Sequence, residues 1–278
     1  MSVKILSWIL LAAMALGGVL LLNYWAACQP LSTLAYSGIV LALGGLANLV
    51  VPFRFLGIRK RAVGTLVLAG GVALAVVALL WPAPIIRVAQ HRTRLDDIMP
   101  EYQFSERHRT RIHARTEQVL QAVRESTFGD MKSLAVLLKI RGAVLRTPYH
   151  DGGALGQDKR ILDAFAASGY LSGGGEHEIV MCGAVNVRAM RRPEVRTLEE
   201  VADYREQGAI KIGFDFFVEE AGEGWSALTA ETRVVALVDD SRGMARYWRL
   251  IVPGSGLLRL QWLEGIKRRA ECMPDPRS

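Results

Sequence analysis

One histidine in this sequence has the neighbours that acid–base chemistry uses. His177 lies between Glu176 and Glu178, and a carboxylate beside an imidazole can orient the ring and tune its pKa. Successive side chains of a strand point to opposite faces, however, so the two glutamates need not touch the ring. The second histidine of a zinc-protease helix is also missing. His177 is therefore a weak candidate acid or base, and a histidine with no catalytic role is the simpler interpretation.

The remaining reactive residue types do not match known nucleophile or nucleotide motifs. The glycines at 173–175 precede no Lys-Ser or Lys-Thr pair, and Ser255 lacks the GxSxG frame of a hydrolase. Cys28, Cys182 and Cys272 form no CxxC pair. Cys182 and Cys272 could form a disulfide in an oxidising compartment, or remain buried free thiols. The sequence thus predicts no catalytic residue, no metal site and no cofactor.

Charge is distributed very unevenly along the 278 residues. Residues 1–86 contain no Asp or Glu, and their charged side chains are Lys4, Arg54, Arg59, Lys60 and Arg61. Removing these five from the 34 lysines and arginines leaves 29 against 27 acidic residues, so most of the net charge of +7 belongs to this first stretch. Basic residues that flank apolar segments indicate membrane topology rather than nucleic-acid binding.

Three apolar segments fill this first stretch, at residues 5–27, 33–52 and 63–81. Each is close to the roughly 20 residues that a helix needs to cross a bilayer. Aromatic residues occur near their ends, namely Trp8, Tyr24, Trp25, Tyr36 and Trp81. Glycine pairs lie inside each segment, at 17–18, 44–45 and 70–71. They favour a closely packed helical bundle, or simply reflect the frequency of glycine in membrane helices.

The loops predict an orientation for these three spans. Positive residues at 54 and 59–61 place the second loop in the cytoplasm, which puts the amino terminus inside and the soluble part outside. Arg87, Arg92 and Arg94 follow the third span and favour the opposite orientation. The spans contain no ionisable residue of the kind that marks ion or proton pathways, so a transporter is not predicted.

The remaining two thirds of the chain predict an α+β domain. Alternation over 102–115 indicates a strand, and residues 116–123 and 133–145 indicate helices. Strands follow from Tyr170, with an antiparallel hairpin formed by residues 210–218 and 225–238 around a turn at 220–224. Glu231 and Arg233 share the polar face of the second hairpin strand and are expected to form a surface or cross-strand pair. A long amphipathic helix over 239–271 closes the domain, with a kink expected near Pro253.

Three segments of this region resemble a known superfamily. They are Phe104 to His108, Thr229 to Val234, and Tyr247-Trp248-Arg249 followed by Pro253 to Leu257. They are similar to the START-related polyketide cyclase and lipid-transport superfamily (SRPBCC), in bacterial members of uncharacterised function. The resemblance implies a helix-grip fold, in which a curved antiparallel sheet and a carboxy-terminal helix enclose an apolar cavity. The candidate cavity residues are Phe214, Phe216, Tyr247, Trp248, Ile251 and Trp262, although plain core packing explains the same pattern.

The predicted organisation has four parts: a three-helix transmembrane region over 1–86, a linker over 87–100, a soluble domain over 101–272 and a tail over 273–278. The function that the resemblance implies is a membrane-anchored module, in a bacterial cytoplasmic membrane, that binds a hydrophobic or lipid ligand. The alternatives are an enzyme acting on a hydrophobic substrate and a non-catalytic protein-binding module with a filled core. Expected partners are membrane lipids and a hydrophobic small molecule, but not nucleic acid.

Overall fold

The computed structural model describes residues 29–50, 61–145, 156–187, 189, 191–238 and 241–274. The first predicted span, residues 5–27, lies outside the described residues, as do the basic residues at 54, 59 and 60. The chain divides into two compact units. The helical unit comprises Met1–Pro82 with Arg242–Pro253, and the sheet unit comprises Ala83–Ser241 with Gly254–Ser278.

Two helices of the helical unit correspond to the second and third predicted spans. Helix α1 covers Pro30–Val50 and helix α2 covers Arg61–Leu80. Both are long and apolar enough to cross a membrane, and they are the two such helices in the described part of the chain. Large apolar side chains at their outer surfaces, such as Leu43 and Leu66, are exposed to the surroundings of the protein.

Glycine determines how closely α1 and α2 approach each other. A Cβ atom added to Gly71 would overlap the backbone of Ala42, and one added to Gly45 would overlap the backbone of Leu68. Because the later residue of α1 meets the earlier residue of α2, the two helices are antiparallel. Gly44 and Gly70 come directly before Gly45 and Gly71, and a Cβ atom added to either of them would have no atom within 4 Å. In these two pairs, one glycine therefore faces the neighbouring helix, as in small-residue membrane interfaces, whereas the predicted pair at 17–18 lies outside the described residues.

This arrangement predicts different effects for two adjacent substitutions. Gly71→Ala places a methyl group against the α1 backbone and should destabilise the helix pair by about 1–3 kcal/mol, the usual cost of overpacking. Gly70→Ala adds the same methyl group in open space and should leave stability nearly unchanged. Thermal unfolding of the full-length protein in detergent measures both variants. Equal melting temperatures for the two would contradict the observed helix contact.

The sheet unit is α+β, as predicted, and contains a five-stranded antiparallel sheet in the order β3-β7-β6-β5-β4. Its elements in chain order are β1 (Ile86–Arg87), α3 (Arg94–Ile98), β2 (Glu101–Tyr102), β3 (Phe104–Ile112), α4 (Thr116–Glu125), a 3₁₀ turn (Phe128–Asp130), α5 (Leu134–Leu145), α6 (Ile161–Ala167), β4 (Leu171–Gly175), β5 (Glu178–Asn186), α7 (Leu198–Asp203), β6 (Ala209–Glu220) and β7 (Ser226–Leu237). Helix α8, Arg242–Glu271, follows and contributes residues to both units.

The predicted hairpin is present, and its register sets the two faces of the sheet. Phe214 pairs with Thr232, and Phe216 pairs with Ala230, so these apolar side chains share one face. Trp262, Leu263 and Ile266 of α8 pack against that face together with α4 and α6, forming the larger hydrophobic core. Their spacing along α8 is that of one helical stripe, which explains why this part of the helix packs on the sheet.

The opposite face of the sheet is also covered, which the sequence analysis did not predict. Helices α3 and α7 place Leu95, Met99 and Val201 over Val180 and Val235. Both helices begin at a threonine whose side chain accepts a hydrogen bond from the backbone N–H three residues later, a common helix start. Glu231 and Arg233, predicted to lie on a polar face of β7, are therefore buried, together with Lys211 and Asp215 of β6.

Candidate functional site

Three of the six predicted cavity residues come together between the sheet and α8. The ring centroids of Phe216 and Trp262 are 4.7 Å apart, and those of Phe214 and Trp262 are 6.2 Å apart. Phe165 of α6 extends the cluster, at 4.8 Å from Phe214. The indole N–H of Trp262 donates to Ser126 Oγ at 2.7 Å. This aromatic cluster is well ordered by edge-to-face contacts of the kind that rings prefer.

The other three predicted cavity residues, Tyr247, Trp248 and Ile251, lie in the helical unit. The helix continues through Pro253, and the division between the two units falls directly after this residue. The single apolar stripe predicted along α8 is thus divided between two different sets of packing partners.

A group of polar residues adjoins the aromatic cluster, and we call it the polar cluster: Glu106, His108, Thr232 and Arg259. Because side chains alternate along β3, Glu106 and His108 lie on the face of the sheet that packs against α8. Glu106 is directly opposite Thr232 of β7. His108 Nε2 is 2.9 Å from Glu106 Oε1, and the two side chains are only 5% and 0% exposed. From α8, the Arg259 guanidinium donates to Thr232 Oγ1.

Arg259 also contacts the aromatic cluster. Its Cζ atom is 5.1 Å from the ring centroid of Trp262, 5.5 Å from that of Phe214 and 5.7 Å from that of Phe216. At these distances a guanidinium is attracted to the electron-rich faces of aromatic rings. Burial lowers the pKa of Arg259, against the attraction of the Glu106 carboxylate. Arginine nevertheless stays protonated at neutral pH, so a positive charge lies beside three aromatic rings.

Two atoms of the polar cluster are buried without a hydrogen-bond partner in the described part of the chain: Glu106 Oε2 and Arg259 Nη1. The two side chains attract each other electrostatically but form no ion pair within 4 Å. A buried acceptor or donor without a partner costs on the order of 1–3 kcal/mol, more when it is charged. Such groups are uncommon in folded proteins, and a functional site is one of the places where they occur.

A different network of charges occupies the opposite face of the sheet. Arg233 Nε donates to Glu231 Oε1 at 2.6 Å, and its Nη2 donates to Asp96 of α3 at 2.7 Å. Glu231 and Arg233 therefore pair as predicted, but the pair is buried because α3 covers it. Glu178 accepts hydrogen bonds from the backbone N–H groups of Arg94 and Leu95. This network attaches α3 to the sheet.

Burial in this network shifts several pKa values. Burial, followed by repulsion from the Glu178 and Glu231 carboxylates, raises the pKa of Asp215 well above its usual range. Burial also raises the pKa of Glu178, against its hydrogen bonds from α3 and Asp215. The Lys211 ammonium donates to the Ala202 carbonyl, and burial lowers its pKa to about 8. Burial thus favours the neutral form of Asp215 within this network.

Cys182 lies beneath α3 on the same face. Its thiol is free and fully buried, and burial raises its pKa to about 12. Cys272 is also free but exposed. The two cysteines do not form the disulfide that the sequence left open. Cys28 lies outside the described residues.

His177, the predicted weak acid or base, occupies the two-residue turn between β4 and β5. Its ring is exposed, whereas Glu178 begins β5 and is buried under α3. Glu176, Glu220 and Trp225 line an open surface depression beside it, about 990 Å³ in volume. Within the described residues, no three His, Cys, Asp or Glu side chains are arranged to hold a metal ion.

The basic run on β3 divides between the two faces of the strand. Arg107, Arg109 and Arg111 are exposed, and Arg109 donates to Glu219 at 3.2 Å. Arg111 lies over the ring of Trp225. His108 belongs instead to the buried polar cluster. The three exposed arginines thus all have partners: Arg107 pairs with Glu231, Arg109 with Glu219, and Arg111 with the Ala221 carbonyl and the Trp225 ring.

Sequence reasoning missed Glu106 and Arg259 as site residues. A signal existed for each: Glu106 shares the alternating positions of His108 and Ile112, and Arg259 interrupts an apolar stripe, three residues before Trp262. Comparisons of the chain with family models, curated proteins and solved structures found no match. The helix-grip assignment and the similarity to the START-related superfamily therefore remain predictions.

The charge network predicts a specific pH dependence of stability. The raised pKa of Asp215 means that the folded state binds a proton more tightly than the unfolded chain, so this residue stabilises the fold at low pH. That stabilisation is lost as pH rises from about 4, the ordinary aspartate pKa, through the raised value. Asp215→Asn keeps the shape of the protonated carboxyl group but cannot ionise. The free energy of unfolding of this variant should therefore decline less with rising pH.

The measurement is urea unfolding of the full-length protein in detergent at several pH values from 4 to 8. Asp163→Asn, at an exposed position of α6, serves as the matched control and should follow the wild-type pH profile. A wild-type profile in the Asp215→Asn variant would show that Asp215 is not the neutral group inferred from the contacts.

Proposed function

We propose that this protein is a membrane-anchored module that binds an amphipathic, lipid-class ligand between the sheet and α8. The observation that carries the proposal is the juxtaposition of the aromatic cluster with the buried, unpartnered Glu106 Oε2 and Arg259 Nη1. The rings provide apolar contact, and the two polar atoms provide one acceptor and one donor. A ligand with a hydrocarbon part and a small polar group matches both.

The apolar helices α1 and α2 support the anchoring part of the proposal. Their length and composition suit a bilayer-spanning pair, and their exposed surfaces are formed by large aliphatic side chains. Anchoring keeps the sheet unit close to a source of lipid, so the ligand can be taken up locally. The cytoplasmic membrane of a bacterium remains the proposed location, with the amino terminus inside and the sheet unit outside.

The proposed site is filled by its own side chains when no ligand is bound. Phe214, Phe216 and Trp262 are each less than 5% exposed and pack against one another. A ligand must therefore displace some of these ring contacts when it binds. Contacts between the ligand and the displaced rings would replace the contacts that the rings lose.

A catalytic role is the second candidate, and the Glu106–His108 pair is the observation that favours it. A carboxylate within 2.9 Å of an imidazole nitrogen is the arrangement that orients a histidine for proton transfer. His108 therefore replaces His177 as the residue to test for acid–base chemistry. If turnover of a bound lipid ester is detected, His108→Gln should abolish it, whereas His177→Gln, a change at an exposed position, should not.

Ligand binding is tested with a photoactivatable diacylglycerol analogue added to the full-length protein in detergent. Crosslinks should map to β6 and α8, and Arg259→Gln should reduce crosslinking about tenfold because the ligand loses a charged hydrogen-bond donor. Arg109→Gln, an exposed change on β3, is the matched control and should crosslink like the wild type.

The opposite results are equally informative. Crosslinking that maps only to α1 and α2, or that is equal in both arginine variants, would remove the proposed site. Melting temperatures of the two variants, recorded alongside, distinguish lost binding from lost folding.

A further inference from the structure

The first twelve residues of α8 are held at one end of the α1–α2 pair. The Tyr36 hydroxyl of α1 donates to the Leu250 carbonyl at 2.5 Å. Arg249 extends its guanidinium to the carboxyl end of α2, where Nη1 is 2.8 Å from the Ala78 carbonyl oxygen and 2.6 Å from that of Trp81. Because α1 and α2 are antiparallel, the start of α1 and the end of α2 lie at the same end of the pair.

Arg249 makes this attachment specific. The residue is only 1% exposed, and it has no acidic partner among the residues that the structure describes. Its charge is instead matched by carbonyl groups at the end of α2, which no longer have helical partners and carry the negative end of the helix dipole. The arginine therefore completes the end of α2 and holds residues 242–253 against it.

The position of Tyr36 indicates the depth of this segment. Tyr36 lies six residues after the start of α1, which corresponds to roughly 9 Å along the helix axis. Helices that lie in a membrane interface place their apolar face about 5–10 Å into the boundary between headgroups and acyl chains. If α1 and α2 span the bilayer along their lengths, the peptide group of Leu250 lies at this depth.

The side chains of the segment are distributed as in an interfacial helix. Trp248, Arg249 and Val252 are buried within the helical unit, whereas Tyr247 and Ile251, one turn apart, are partly exposed. Arg246 is exposed, and its long side chain can reach headgroup phosphates while its methylene groups remain in the apolar layer. Tyrosine and tryptophan are the residues most enriched at this level of a membrane.

We propose that residues 242–253 form an interfacial membrane helix, with lipid acyl chains as the partner of the Tyr247–Ile251 edge. The inference rests on the membrane anchoring proposed above. It places Tyr247 and Ile251 at the bilayer interface and Trp248 in the packing of the helical unit, rather than in the wall of a ligand cavity. Arg249 is the positioning residue that keeps the segment in the membrane.

The test uses the full-length chain, with its three cysteines replaced, reconstituted into phosphatidylcholine and phosphatidylglycerol vesicles. A nitroxide label is attached at Ile251→Cys, and its collisions with oxygen and with a water-soluble nickel chelate are compared by electron paramagnetic resonance. Val72→Cys on the exposed surface of α2 and Arg107→Cys on β3 are the references for bilayer and water. The oxygen-to-nickel ratio at 251 should be severalfold higher than that at 107 and closer to that at 72.

A ratio at 251 equal to that at 107 would overturn the proposal, as would shielding from both reagents, which indicates burial in protein. If the label at 72 also contacts water, the membrane anchoring itself fails. If the label at 72 contacts the bilayer and the label at 251 contacts water, the membrane anchoring stands and only the proposal of an interfacial helix fails.

A second pair of variants tests the role of Arg249. In the Ile251→Cys background, Arg249→Gln should release the segment and lower the oxygen-to-nickel ratio towards the value at 107. Arg246→Gln changes an exposed arginine one turn earlier and should preserve the ratio. An unchanged ratio in Arg249→Gln would mean that this arginine does not hold the segment, and circular dichroism verifies that both variants are folded.

Discussion

The sheet unit depends on one constraint: its sheet is covered on both faces, so charged side chains of the central strands must be matched inside the protein. On a sheet open to water, Lys211, Asp215, Glu231 and Arg233 would be solvated. Helices α3 and α7 exclude water from them instead. Arg233 contacts Asp96 at 2.7 Å and Glu231 at 2.6 Å, and burial raises the pKa of Asp215. Both features follow from that exclusion, because an unmatched buried charge is very costly.

The two faces of the sheet meet this constraint differently. The network under α3 matches its carboxylates with a guanidinium and backbone N–H groups, and burial favours the neutral form of Asp215. The polar cluster under α8 leaves Glu106 Oε2 and Arg259 Nη1 unmatched within the described residues. Local rules of satisfied polarity are most often broken at functional sites. This difference, rather than any recognised motif, directs attention to the α8 face.

Elements with strong periodicity could be predicted from the sequence. Helices α1 and α2 and the β6–β7 hairpin lie within a few residues of their predicted positions, because apolar runs and alternation are local signals. Helices α3 and α7, with five and six residues, are too short for a periodic pattern. Which glycine of each pair faces the other helix depends on helix rotation, which the sequence does not encode locally. The division of α8 at Pro253 depends on contacts with residues more than 160 positions away, such as Arg249 with Ala78 and Trp81.

The rate at which the buried thiol of Cys182 reacts can report local opening of the sheet unit. A thiol with a pKa near 12 and no exposed surface does not react with an alkylating reagent while α3 remains in place. Alkylation of Cys182 therefore proceeds only through states in which the helix has moved away from the sheet. The exposed Cys272 reacts without such a step, so the ratio of the two rates reports the free energy of detaching one short helix from an otherwise intact fold.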